Sequence, residues 1–118
     1  MRIIESVKER EPFFDGWETD KAVFNYSCDQ CKASIVISFK DMLNAAWGWI
    51  EKTKEDQKTA IAAAFGIDLE DKFIGNGMSS VVTKVCPKCN QTHHIFFWFH
   101  EYRNSCYRIV FKGLAVED

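Results

Sequence analysis

Hydrophobic and polar positions change period twice along this chain. Over residues 22–27 and 34–39 they alternate, and Ile35, Ile37 and Phe39 fall on one side, as the two-residue period of a strand requires. The pattern predicts two strands forming a hairpin across residues 28–33. From about residue 40 to 66 the period lengthens to that of a helix. Leu43, Ala46, Trp47 and Ile50 recur at helical spacing, and Ile61, Ala64 and Phe65 give a second apolar side. Ser38, with Asp41 three residues on, matches a capping box, and Thr53 with Asp56 repeats the arrangement. Gly66 stands where a helix C-terminal cap belongs. A helical hairpin is therefore expected, with Trp47 and Ile50 packed inward and Glu51, Glu55 and Asp56 left in solvent near its turn.

Alternation returns in the second half. Residues 68–78 read as a connection ending in the turn signal Gly75-Asn76-Gly77, and 80–85 as a strand. Residues 93–102 divide into His94, Phe96, Trp98, His100 and Tyr102 on one side and Ile95, Phe97 and Phe99 on the other. Bulky residues on both sides are expected of a central strand covered on both faces. Residues 106–112 alternate Tyr107, Ile109 and Phe111 with Arg108, Val110 and Lys112, the pattern of an outer strand with one face partly solvated. Residues 1–20 read as irregular. Within them, Phe13, Phe14 and Trp17 stand in a turn and are expected to cap the core.

Two Cys-x-x-Cys pairs interrupt this pattern at the strand ends: Cys28 with Cys31, and Cys86 with Cys89. Together they supply four thiolates, the full tetrahedral set for one structural Zn²⁺. A single pair is ambiguous between metal and redox chemistry, but the βαβ pattern expected around a redox pair is missing here. A two-residue spacer lets each turn aim both sulfurs at one ion, while backbone N–H groups lower the charge on the thiolates. His93 and His94 follow the second pair closely and are alternative donors that a four-cysteine set does not need. Cys106, the fifth cysteine, reads as a small apolar strand residue.

Cys86-Pro87-Lys88-Cys89-Asn90 resembles the knuckle of the zinc-ribbon superfamily, in which Pro often follows the first Cys and Gly the second. Gly serves there because the residue takes positive φ, and Asn tolerates that conformation next best. Cys28-Asp29-Gln30-Cys31-Lys32 departs from this pattern, having neither Pro nor Gly. The 54 residues between the pairs (32–85) exceed the ~12–20 of ordinary ribbons, and the helical hairpin accounts for the excess. The resemblance implies an α+β fold: an antiparallel sheet built on two zinc knuckles, one domain over residues 1–118, with a helical insertion at about 40–66.

Composition narrows the function. The chain has 118 residues, 47% of them hydrophobic, which is enough for one core and argues against a disordered tail. The formal net charge is −2, and basic residues never run four together, so the phosphate-neutralising excess of a nucleic-acid binder is missing. Lys84, Lys88, Arg103, Arg108 and Lys112 scatter among aromatics and read as a solvated face rather than a stacking platform. No stretch resembles a signal peptide or a membrane span, so a reducing, cytoplasmic location is expected, where paired cysteines hold metal rather than disulfides. His100-Glu101 lies downstream of the cysteines, in the wrong order for a zinc deaminase. Phosphate-loop and nucleophile-elbow motifs are lacking.

The expectation is a non-catalytic protein-interaction module with a structural zinc. In size and charge the chain also resembles bacterial immunity proteins, which cover the basic active site of a toxin with acidic and aromatic residues. That resemblance implies a protein partner, a toxin domain, meeting Glu51, Glu55 and Asp56. The rival expectation is a nucleic-acid-binding zinc ribbon of a transcription or translation accessory protein.

Overall fold

Three long strands carry the bulkiest alternation of the sequence and form the middle of the molecule. The computed structural model describes residues 1–6, 12–71 and 73–117, and of Ser6 and Trp47 the backbone alone. In chain order the elements are β1 (Arg2–Ser6), β2 (Phe14–Gly16), β3 (Phe24–Ser27), β4 (Ser34–Ile37), α1 (Phe39–Lys52), α2 (Glu55–Phe65), β5 (Phe73–Ile74), β6 (Gly77–Val85), β7 (Thr92–Arg103) and β8 (Cys106–Glu117). Six strands make one antiparallel sheet in the order β1-β8-β7-β6-β5, with β2 also on β8. The remaining two, β3 and β4, pair as a separate hairpin. The class is α+β, as expected, but the two knuckles lie in different sheets. The first is the turn of β3–β4, and the second joins β6 to β7.

Strand β8 corrects the sequence reading. It runs to Glu117 rather than stopping near 112, and it is interior rather than outer. Its far side is shared end to end by β1, against Gly113–Val116, and β2, against Tyr107–Ile109. Both strands come from the segment expected to be irregular. Phe13 and Phe14 do pack on the core, whereas Trp17 is 69% exposed.

Directly opposed residues of an antiparallel pair share a face, and this sorts the sheet. Val82, Ile95, Phe97, Phe99, Ile109 and Leu114 point to the front, where Ile37 of the hairpin and Met42 and Ala46 of α1 close the main core. Phe24 bridges the layers, stacked on Phe111 at 4.8 Å and edge-on to Phe97 at 5.4 Å. On the back face a second cluster gathers Val81 and Phe96 with Trp49 of α1 and Ile61 of α2. Helix α1 thus touches both faces of β6 and straddles its free edge. The Ser80 hydroxyl donates to the Met42 carbonyl on one side, and the Trp49 indole N–H donates to Ser79 Oγ on the other. Strand β7 is covered on both faces only in part. Helix α2 reaches Phe96, while Trp98, His100 and Tyr102 lie on the back face beyond it.

The first helix start is as read: Ser38 and Asp41 form a reciprocal capping box. The second is not. Thr53 is the C-cap of α1, with its hydroxyl donating to the Trp49 carbonyl at 2.5 Å, and Lys54 takes the N-cap of α2 with no side-chain cap bond. A hydroxyl one turn beyond a buried carbonyl is drawn back to it in preference to the next helix. Gly66 caps α2 in the left-handed conformation, φ 70°. The buried stripe of α1 is Met42, Ala46 and Trp49, with Ile50 half-buried beside it; the inward placement expected of Trp47 lies outside the described residues.

Candidate metal centre

Each cysteine pair occupies a turn whose backbone is closed twice. In the first knuckle Cys28 N–H donates to the Ala33 carbonyl at 2.8 Å and Lys32 N–H to the Cys28 carbonyl at 2.9 Å. In the second, Cys86 N–H donates to Gln91 and Asn90 N–H to Cys86, both at 2.9 Å. The residue after the second cysteine is left-handed in both: Lys32 at φ 66° and Asn90 at φ 63°. The first knuckle therefore reaches the same geometry without Pro or Gly. It accepts a non-glycine residue in a region that costs roughly 1–3 kcal/mol, and the surrounding bonds hold it there.

The two turns face each other and bring the four sulfurs together. All lie within 4.8 Å of one another, Cys28 3.6 Å from Cys89 and Cys31 3.4 Å from Cys86. Tetrahedral bonds of about 2.3 Å to one Zn²⁺ place sulfurs about 3.8 Å apart, so the set fits that ion with small adjustments. Cys28 and Cys86 are fully buried, while Cys31 and Cys89 are the partly exposed pair. Every first-layer donor is a soft sulfur, the choice of Zn²⁺ over Mg²⁺ or Ca²⁺.

Electrostatics argue for a cation as well. The backbone N–H groups of Cys89 and Lys88 aim at the Cys86 sulfur and hold its pKa down at about 6. Cys89 receives a similar pull from the Gln91 N–H, yet burial and the neighbouring sulfurs of Cys28, Cys31 and Cys86 push it up to about 12. Four sulfurs this close cannot all carry charge without a counter-ion, and a divalent metal supplies it.

A second layer stands behind Cys28. His93 Nε2 lies 3.4 Å from its sulfur and the Gln91 amide 3.6 Å away. His93 is fully buried, and that burial lowers its pKa, so the ring is neutral with one N–H. Facing a metal-bound thiolate, which only accepts, that hydrogen belongs on Nε2. The Gln91 side chain meets the sulfur through its oxygen, but a half-turn of the isosteric amide presents its NH₂ instead. Two buried polar atoms flank the centre without a hydrogen-bond partner among the described residues, His93 Nδ1 and the Tyr26 hydroxyl. His93 is thus a supporting residue outside the four-sulfur cluster. From the sequence, His93 reads as a spare ligand or as a strand histidine satisfied locally, and Gln91 carries no signal at all.

His94 is engaged elsewhere. It accepts from or donates to Thr83 Oγ1 and Glu117 Oε2, each at 2.8 Å, and Gln57 of α2 joins the same carboxylate at 3.4 Å. With Nε2–H toward the carboxylate and Nδ1 accepting from the hydroxyl, the buried ring is satisfied at both nitrogens.

Glu51, Glu55 and Asp56 are all exposed, as expected, but each has its own surroundings. Glu55 pairs with Lys58 at 3.0 Å, and Asp56 Oδ1 accepts the Gln57 N–H. Glu51 turns toward a cleft it shares with Glu70 and Asp71. The basic residues divide too. Lys84 pairs with Asp41 on the front face, while Arg108 pairs with Asp15 on the back and lies 4.9 Å over the Tyr102 ring. No helix among the described residues is long and apolar enough to cross a membrane. Compared with protein-family models, curated proteins and solved structures, the chain finds no match.

Proposed function

We propose that this chain is a non-catalytic protein-interaction module whose knuckles are held by one structural zinc. Its partner is a basic protein, in the sharpest form of the reading a toxin domain that it neutralises in the cytoplasm by covering a basic site. The observation that supports a structural role is the closure of the cysteine cluster. Four protein sulfurs fill the tetrahedron, so a metal held there keeps no position for water or substrate. Exposed Glu51, Glu55 and Asp56, interspersed with Lys52, Lys54 and Lys58, supply the carboxylates a basic partner would meet, and complementary charge speeds encounter and rejects wrong partners.

A stopped-flow titration tests this against the product of the reading frame adjacent in the genome. Association should be fast and should slow with salt. Changing Glu51, Glu55 and Asp56 to Lys should slow it further without lowering the melting temperature. A triple variant that binds at the wild-type rate at low and moderate salt would move the interface elsewhere.

One observation favours the nucleic-acid-binding alternative. Trp98, His100 and Tyr102 form a row on the back face, with centroid spacings of 5.3 and 6.3 Å, beside Arg108 and Lys112. Aromatic rows of this kind stack the bases of single strands. Asp15 sits in that row, bonded to Arg108, and weakens its appeal to phosphate. Anisotropy titrations with single- and double-stranded oligonucleotides at physiological salt decide between the two. The module reading expects no measurable binding, and micromolar, salt-sensitive binding would replace it with the alternative.

A further inference from the structure

We infer that Tyr26 is a positioning residue of the metal centre: through one buried water its hydroxyl donates to His93 Nδ1 and so keeps the ring proton of His93 on Nε2, facing Cys28. The inference rests on the structural-zinc reading and names what sets the buried support of that centre.

Tyr26 stands on β3 two residues before Cys28, and its register partner Ile35 packs with it around the sulfurs of Cys28 and Cys86. Its ring lies 5.5 Å from that of His93, tilted by 51°. Among the described residues, the Tyr26 hydroxyl and His93 Nδ1 are the buried side-chain oxygen and nitrogen left without a hydrogen-bond partner. A neighbouring buried histidine shows the usual outcome: His94 has a partner at each ring nitrogen. Native interiors leave few polar atoms unbonded, and two on adjacent rings ask for a common explanation. Packing alone does not need the hydroxyl. Phe24, two residues earlier on β3 and in ring contact with Tyr26, fills its place without one.

The two atoms are chemically complementary. The neutral His93 ring spends its one hydrogen on the Cys28 thiolate, so Nδ1 carries a lone pair and lacks a donor. A phenol that ionises near about pH 10 is a donor at neutral pH. No direct bond joins the pair, and a water is small enough, and polar enough on both sides, to complete the link inside a closed site. Tyr26 O–H then donates to the water, the water to Nδ1, and Nε2–H to the sulfur. Every hydrogen in the series points toward the cysteine cluster. The other tautomer would turn the Nε2 lone pair against the lone pairs of a thiolate. A partner on the far nitrogen is how proteins fix the tautomer and direction of such a ring.

The test uses the full-length, zinc-loaded chain. Long-range ¹H–¹⁵N NMR of the His93 ring reads its tautomer, and the wild type should carry the proton on Nε2. In Tyr26→Phe the Nδ1 resonance should move toward that of an unbonded ring nitrogen. Zinc retention in a chelator competition should weaken by up to about tenfold, the scale of one hydrogen bond. In the His93→Phe background, which has no Nδ1, adding Tyr26→Phe should leave zinc retention unchanged. A crystal structure of the zinc-loaded wild type should show one ordered water within bonding distance of both atoms. A proton on Nδ1, an Nδ1 resonance indifferent to Tyr26→Phe, equal losses of zinc affinity in both backgrounds, or no shared water would each overturn the inference. The two readings fail distinguishably. Wild-type protein that takes up no zinc overturns both, whereas zinc held equally well by wild type and Tyr26→Phe overturns the role of Tyr26 alone.

Discussion

His93 stands behind the cysteine cluster with its Nε2 3.4 Å from the sulfur of Cys28, and both side chains are fully buried. The contact spans 65 residues and ties β7 to the first knuckle, which otherwise belongs to a separate hairpin. A neutral ring donating to a thiolate spreads its charge and fixes its direction, and loss of such support commonly costs 10–100-fold in metal affinity. His93→Phe fills the space without an N–H and should weaken zinc retention by about that factor in a chelator competition. His93→Gln keeps a donor and should recover most of the loss. Equal affinities for Phe and wild type would reduce His93 to packing.

The cluster itself predicts one zinc per chain in protein purified without chelator. Cys89→Ser should lose the metal and much of the stability, because a hydroxyl is a poor substitute for a thiolate. Cys106, buried near the β7–β8 turn and outside the cluster, can become Ser with unchanged zinc content. Elemental analysis of the three proteins decides, and metal-free wild type or disulfide-linked cysteines would sink the assignment.

Proton release tests whether the knuckles are preformed. With its pKa near 6, Cys86 is already ionised at pH 7, whereas Cys89, near 12, still holds its proton. Zinc binding at pH 7 should therefore displace the proton of Cys89 and take none from Cys86. A depressed pKa means the ionised form is favoured above it and lost below it. The number of protons released should therefore rise by about one as the pH falls through 6. Calorimetry in buffers of different ionisation enthalpy reads the number, and four protons at pH 7 would mean that the metal-free knuckles do not hold Cys86 as described.

Trp49→Ala removes a buried indole and leaves Ser79 without its donor. Truncations of this kind cost about 3–5 kcal/mol, which lowers the melting temperature of a chain this size by roughly 10–20 °C. Thermal denaturation followed by circular dichroism measures it, and a shift of only a few degrees would show that the site collapses around the gap.

Thr83→Val strips the hydroxyl from His94 Nδ1 while keeping the shape of the side chain. An unsatisfied buried nitrogen costs about 1–3 kcal/mol, and Thr83→Ser should stay near wild type. If Val is as stable as Thr in urea denaturation, the links among Thr83, His94 and Glu117 contribute nothing to folding.

Local signals were legible where one stretch of chain settles its own geometry. The capping box at Ser38, the left-handed Gly66 and the two cysteine turns are all of this kind. What could not be read depends on partners far along the chain. Strand β1 exposes Ile3 and Ile4 and shows no alternation; its place comes from pairing with β8, more than a hundred residues on. Once β1 and β2 take that side, β8 becomes interior, although its own pattern suggested an edge. Thr53 was misassigned for a similar reason, because two helices competed for one hydroxyl. The support of Cys28 by His93 and Gln91 arises only when β7 meets the first knuckle in space.

Helix α1 also decides where the sheet ends. Among the described residues, strand β5 pairs only with Met78 and Gly77, so the outer rim of β6 toward Val85 would otherwise offer a row of backbone groups flanked by Val81 and Val82. Such a rim is a template for strands of other molecules. By straddling it, α1 makes the insertion between the knuckles a guard against self-association. A variant whose α1 detaches should be lost first to aggregation, before any change at the metal is felt.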